Sequence, residues 1–276
     1  MSEALDALPI SAREQIDAAL RARPCGLFSD VDGTLSALAP TPGSAVLLPG
    51  VRELLIEARS AFAVVAAVSG RGATDILRML DVDAITYIGN HGFDRIEPDG
   101  TFSVLSVAEP YRASIAATAD RLARELMPRF PGMFVEPKGT TASIHTRGAI
   151  DPRAADEAVY ASALAAAGEA GLRVTRGKYI VELRPPVAVD KGVAVTEAIS
   201  LHGLRGAFYL GDDRTDIDAF RALRRLTREG ACLGVAVAVL HEETPLGLAE
   251  EADVTLASIA EVPEFLRYLI AGARAA

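Results

Sequence analysis

The stretch Gly26-Leu27-Phe28-Ser29-Asp30-Val31-Asp32-Gly33-Thr34 is a short apolar strand that runs straight into two carboxylates and a glycine. Ligands of doubly wound α/β sheets gather beyond the carboxyl ends of the strands, so acids at that position mark a candidate site. Backbone alternation sets Asp30 and Asp32 on one side of an extended segment, and Gly33 permits a sharp turn away from it. One carboxylate of such a pair can attack phosphorus as a nucleophile. The other, two residues on, can protonate a leaving oxygen and later activate water. Asp-Gly is also a common turn, so the pair carries weight only with partners elsewhere in the chain.

Three further segments supply them. Phe62 to Val68 is an unbroken apolar run, as expected of a strand buried on both faces, and it ends at Ser69-Gly70-Arg71. A hydroxyl and backbone N–H groups at a strand-to-helix junction suit a phosphate oxygen, although a helix-capping serine explains the same residues. Lys191 follows the apolar Val187-Ala188-Val189 at the expected start of a helix, where an ammonium can face both a phosphate and a carboxylate. Ala207 to Leu210 is a strand that ends at Gly211-Asp212-Asp213-Arg214-Thr215-Asp216. Acids so crowded repel one another unless a cation or hydrogen bonds compensate. Mg²⁺ takes hard oxygen ligands, and Asp30 with Asp212, from adjacent strand ends, would suffice. Thr215 and Asp216 are also expected to cap the helix that follows.

Around these segments strands and helices alternate. A terminal helix is expected within residues 1–22 and a loop from Asp32 to Gly50. Pro49 opens a helix with Val51, Leu54, Leu55 and Ala58 on one face, and Ala84 to Ile88 forms a strand. Asp99-Gly100 reads as a hairpin turn. The middle of the chain changes character. A helix from about 109 to 127 is followed by strands near 133–136 and 140–146. An Ala-rich helix over 151–168 then precedes strands near 172–175 and 179–184. That order signals an inserted α+β unit. Alternation resumes after Pro185-Pro186 and closes with the strand Cys232–Val239 and a helix from about 258.

Composition narrows the function classes. A net charge of −9 argues against a nucleic-acid or membrane-surface footprint. With no Trp and 5% aromatic residues, a stacking platform for single strands is not expected. Cys25 and Cys232 are too few for a disulfide framework or a thiolate zinc cage, and the four histidines form no pair at helical spacing. No apolar run approaches the roughly 18 residues of a membrane span, and no secretory signal is read at the N-terminus. Gly171 to Lys178 fails the P-loop pattern, because five residues separate its glycines and Tyr179 follows the Lys. A cytoplasmic monomer is the expectation.

The four segments, in this order and each after a strand, resemble the haloacid dehalogenase superfamily of phosphatases. More narrowly the chain is similar to the trehalose-6-phosphate phosphatases. The likeness rests on Asp30 to Ser36, Ser69-Gly70-Arg71, Gly89-Asn90-His91-Gly92, Val135-Glu136-Pro137-Lys138, Ser143-Ile144-His145, Glu182-Leu183-Arg184-Pro185, Asp190-Lys191-Gly192 and Gly211 to Phe220. It implies an α/β fold: a Rossmann-like parallel-sheet core over residues 1–107 and 187–276, with an inserted αββαββ cap over 108–186. It also implies that Asp30 is the nucleophile and Asp32 the general acid and base. Mg²⁺ would be held by Asp30, the Asp32 carbonyl and Asp212, with Asp213 and Asp216 in support. Ser69, Gly70, Arg71 and Lys191 would hold phosphate, and Glu136, Lys138, Lys178 and Glu182 would contact sugar hydroxyls. The expected reaction is hydrolysis of trehalose 6-phosphate through an aspartyl-phosphate, the last step of trehalose biosynthesis. Ile217 departs from the pattern, since most relatives carry an acid there; this leaves room for a sucrose, glucosylglycerol or amino-sugar phosphate as substrate. A mutase of the same superfamily and a non-catalytic sugar-phosphate sensor fit the residues less well.

Overall fold

The computed structural model describes residues 8–39 and 41–276. The first seven residues of the expected terminal helix lie outside them, and that helix, α1, spans Ile10–Arg21. Through the first part of the chain follow β1 (Cys25–Ser29), α2 (Val51–Ala58), β2 (Val64–Val68), α3 (Ala73–Leu80), β3 (Thr86–Gly89), β4 (Asp94–Ile96) and β5 (Phe102–Val104). The middle carries α4 (Arg112–Leu126), β6 (Phe134–Pro137), β7 (Ala142–His145), α5 (Pro152–Ala170), β8 (Arg173–Gly177) and β9 (Ile180–Arg184). The last part holds α6 (Lys191–Leu201), β10 (Gly206–Gly211), α7 (Asp216–Arg228), β11 (Leu233–Val239), β12 (Val254–Leu256) and α8 (Val262–Ala275).

The chain divides into two compact units, one running through Phe102 with Val189–Ala276, the other Ser103–Ala188. The limits expected from the sequence were 107/108 and 186/187. The large sheet has the order β12-β11-β10-β1-β2-β3-β4-β5. Its strands from β12 to β3 are parallel, and β4 returns antiparallel to β3. Each central strand is buried on both faces, which is why β2 and β11 read as continuous apolar runs rather than alternating ones. Leu27, Val65, Phe208 and Val237 face one side, against Ile16 of α1, Leu54 of α2, Ile76 of α3 and Phe265 of α8. Phe28, Ala66, Tyr209 and Ala236 face the other, against Val195 of α6 and Phe220 and Leu223 of α7. The result is a three-layered doubly wound unit with β1 in the middle.

The second unit is an antiparallel sheet of order β6-β7-β9-β8. Ala142, Ile144, Val181 and Leu183 point from one face into a core with Leu122 and Leu126 of α4 and Val159 and Ala163 of α5. The Ala-rich α5 has clear ends. Asp151 accepts the Ala154 N–H at 3.0 Å, Pro152 opens the first turn, and Gly171 closes the helix in the left-handed region at φ +64°. The observed αββαββ order is the one expected for this unit.

Three strands escaped the sequence reading: β4, β5 and β12 have three residues each, too short to show a period, and β4 opens on Asp94, whose side chain serves a helix rather than a strand face. The expected turn at Asp99-Gly100 does join β4 to β5. α2 begins at Val51 rather than at Pro49, because Gly50 takes a left-handed conformation at φ +79° before it. α8 begins at Val262, after a short 3₁₀ turn over Ile259–Glu261, with Pro263 in its first turn.

Phe208 is fully buried in β10 and meets Phe62 edge to face, with ring centroids 6.4 Å apart. Phe208→Ala is expected to destabilise the first unit by about 3–5 kcal/mol, measured by urea unfolding.

Candidate active site

β1 lies between β10 and β2, and its last residue, Ser29, is in register with Leu210 and Ala67. The loops carrying Asp30, Asp212 and Ser69 therefore leave the sheet together at its carboxyl edge. The Asp30 N–H extends the ladder by donating to the Leu210 carbonyl at 2.8 Å, and the residue is 4% exposed. Gly33 follows at φ +86°, and a Cβ there would collide with the Asp212 carboxylate. Glycine thus serves two ends: the chain turns, and an acid from the neighbouring strand reaches the loop. The Thr34 hydroxyl donates to Asp212 Oδ1 at 3.1 Å.

Lys191, the first residue of α6, is 2% exposed. Its Nζ lies 2.8 Å from Asp30 Oδ1 and 2.7 Å from Asp216 Oδ1. Burial by itself would lower its pKa, but Asp216 and Asp30 more than offset this and hold the ammonium charged. Burial also pushes the Asp30 carboxyl well above the usual carboxylate range, with Lys191 opposing and Asp216 and Asp212 adding to the rise. Asp212 is raised by burial too, against a hydrogen bond from His241 Nε2 to Oδ2 at 3.1 Å. That bond raises His241 in turn. The Glu243 N–H, which donates to Nδ1 at 3.1 Å, opposes a second ring proton.

Asp216 is fully buried and its four acceptor positions are engaged. Oδ1 takes Lys191 and the Tyr209 hydroxyl, each at 2.7 Å; Oδ2 takes the N–H groups of Asp212 at 3.1 Å and Asp213 at 2.9 Å. Asp216 therefore fastens the loop before it. The expected capping of α7 is corrected here: Thr215 makes no side-chain cap, and the Asp216 carboxylate points back to the loop instead.

Among the described residues, Asp30, Asp212 and Asp216 bring ligand oxygens within 4.8 Å of one another. Counted as ionised, the three carboxylates outnumber the Lys191 ammonium by two formal charges, and a divalent cation would balance that excess and offset the crowding that adds to burial in raising Asp30 and Asp212. The donors are hard oxygens, the kind Mg²⁺ and similar ions prefer. The residues fit a divalent metal, and since Asp216 is saturated by the chain, Asp30 and Asp212 are the carboxylates left to face it.

Ser69 is buried, and its Oγ accepts the Arg71 N–H at 3.2 Å. The Arg71 guanidinium grips Asp32 by both oxygens, Nε to Oδ2 at 2.6 Å and Nη2 to Oδ1 at 2.7 Å. Asn90 and His91 brace this loop, their N–H groups donating to the carbonyls of Arg71 and Ser69 at 2.6 and 2.9 Å. The first N–H of α3, at Ala73, is taken by Asp94 at 3.1 Å rather than left for an anion.

With this geometry in place, comparison with known proteins gives a consistent result. The sequence model of the family described as trehalose-phosphatase matches residues 28–245. The chain belongs to the trehalose-phosphatase family. A trehalose-phosphate phosphatase of Mycobacterium leprae is 36% identical over 260 residues, covering 91% of this chain and 58% of that protein. The chain spans less than two thirds of the length of the curated relatives it matches. Among solved structures, a trehalose-6-phosphate phosphatase related protein superposes with a TM-score of 0.74 at 23% identity, over 89% of this chain and 97% of that one. A haloacid dehalogenase-like hydrolase from Bacteroides thetaiotaomicron has a TM-score of 0.62 at 14% identity, over 90% of this chain and 100% of that one. The fold is of the haloacid dehalogenase type.

The four sugar-contact candidates of this family member lie in the second unit. Glu136, Ser143, Glu182 and Thr175 stand opposite one another across its four strands, on the face away from α4 and α5. Glu182 Oε1 receives Lys138 Nζ at 3.3 Å and the hydroxyls of Thr141 and Ser143 at 3.4 Å each. Glu136 Oε2 meets His145 Nε2 at 2.8 Å, and the His145 ring stacks on Phe134 with centroids 4.4 Å apart. Lys178 stands apart from this row, exposed in the turn between β8 and β9.

Ile217, the departure from the family pattern, is buried in the core beside α6. Its change is therefore one of packing. Three partners of the carboxylates carried no role in the sequence reading: Thr34, Tyr209 and His241. Thr34 stood inside a recognised motif. Tyr209 and His241 left no local signal, because each matters only through strand neighbours.

Lys191→Met leaves Asp30 and Asp216 buried without their cation. It is expected to lower stability in EDTA by about 3–5 kcal/mol in urea unfolding. Neutralising one acid as well, in Lys191→Met/Asp216→Asn, is expected to recover part of that loss.

Proposed function

We propose that this chain is a Mg²⁺-dependent phosphatase that hydrolyses trehalose 6-phosphate to trehalose and inorganic phosphate through an aspartyl-phosphate on Asp30. The observation that carries the reading is the buried Asp30 carboxylate, held by Lys191 at 2.8 Å within reach of Asp212, with Asp32 two residues on. Membership of the trehalose-phosphatase family and the likeness to the trehalose-phosphate phosphatase of M. leprae support the choice of sugar.

In the first step an Asp30 oxygen forms a bond to phosphorus as the bond to the sugar oxygen breaks. Asp32 gives its proton to that leaving oxygen. Arg71, which grips Asp32 by both oxygens, is the guanidinium for which a phosphate group competes, so a bound phosphate loosens that grip. Lys191 and Ser69 hold the phosphate oxygens, and the N–H groups around Gly70 orient them. Asp30, the Asp32 carbonyl and Asp212 would hold Mg²⁺, which when bound would supply positive charge against the phosphoryl oxygens. In the second step Asp32 takes a proton from water, whose oxygen attacks phosphorus and frees Asp30 and inorganic phosphate. Asp213 and Asp216 keep the Asp212 loop in place throughout. Glu136, Lys138, Lys178 and Glu182 take the sugar hydroxyls, a mixed set that both donates and accepts.

Phosphate release from trehalose 6-phosphate is expected to exceed that from glucose 6-phosphate and sucrose 6-phosphate, and to vanish in EDTA. Equal, feeble rates on all three would overturn the substrate. Asp30→Asn is expected to lose turnover by at least about 10³-fold with an unchanged fold by circular dichroism. Normal release by that variant would remove Asp30 from the mechanism.

A further inference from the structure

We infer that His241 is a positioning residue for the metal carboxylate Asp212, acting through a single ring tautomer that its own turn enforces. The inference rests on the proposed Mg²⁺ chemistry and adds a residue to it.

β11 runs beside β10, so the segment after β11 emerges next to the loop that carries Asp212. His241 opens a tight turn there. Its N–H donates to Thr244 Oγ1 at 2.7 Å, while its carbonyl accepts the Thr244 hydroxyl at 2.8 Å and the Thr244 N–H at 3.1 Å. Both backbone groups are thus held by one residue. Within the same turn the Glu243 N–H donates to His241 Nδ1 at 3.1 Å. A nitrogen that accepts a hydrogen bond carries a lone pair, so in the neutral ring the proton sits on Nε2. Nε2 then donates to Asp212 Oδ2 at 3.1 Å.

Asp212 is 2% exposed and is held from two sides. Oδ1 takes the Thr34 hydroxyl from the loop after β1, and Oδ2 takes His241 from the turn after β11. Each oxygen accepts one such bond and keeps a second lone pair, which distinguishes Asp212 from the saturated Asp216. Two donors from opposite sides fix the plane of the carboxylate, and a ligand already oriented loses less freedom when a cation binds. Partners of this kind are commonly worth about 10–100-fold in metal affinity.

The test compares wild type, His241→Ala and His241→Gln, the last keeping an N–H donor near the position of Nε2. Unfolding temperature is followed as MgCl₂ is added, with no substrate present, and phosphate release is titrated with Mg²⁺ separately. His241→Ala is expected to shift both Mg²⁺ midpoints upward by about 10–100-fold, and His241→Gln to recover most of the shift. KM for trehalose 6-phosphate at saturating Mg²⁺ is expected to change less than about twofold, as the role runs through the metal carboxylate. His241→Phe fills the site without a donor and replaces the alanine variant if that one fails to fold. Wild-type midpoints in the donor-free variants overturn the inference alone. A wild type that neither responds to Mg²⁺ nor releases phosphate overturns the functional reading, and this inference with it.

Discussion

Lys191 is a cation almost wholly withdrawn from water, and the two carboxylates that share it could not both stay ionised at that depth without it. The rest of the first unit is arranged around that fact. Asp30 comes from the end of the strand in the middle of the sheet, Asp216 from the start of α7, which follows the neighbouring strand β10, and Lys191 from the helix that precedes β10. One ammonium thus ties three chain segments to the carboxyl edge. The charge it leaves over is negative, which is the reason a divalent cation suits the site.

The same cluster separates acids that look alike in sequence. Asp212, Asp213 and Asp216 lie within five positions, yet their surroundings differ sharply. Asp216 is spent on four donors of the chain and behaves as a structural clamp. Asp213 is exposed and contributes its backbone. Asp212 keeps lone pairs free on both oxygens while Thr34 and His241 steady it. Burial and hydrogen-bond count, rather than residue type, divide supporting acids from candidate ligands.

Much of this was legible beforehand, for a physical reason that varies with the segment. β2 and β11 announced themselves as unbroken apolar runs because parallel strands are covered on both faces. α5 was visible through its alanines. The acids after β1 and β10 stood out because they break apolar runs at strand ends. β4, β5 and β12 were missed because three residues show no period, and the pairing of Arg71 with Asp32 was missed because it links positions 39 residues apart.

The sequence alone determined the order of strands and helices, the inserted αββαββ unit, and the four loops that carry the chemistry. These are local properties, written in neighbouring residues through apolar period, turn residues and interrupted runs. Tertiary structure alone decided which oxygen meets which donor: Lys191 between Asp30 and Asp216, Thr34 and His241 on Asp212, and the row of Glu136, Ser143 and Glu182 across three strands. Those pairings depend on strand order and register, which bring together groups that no sequence window contains.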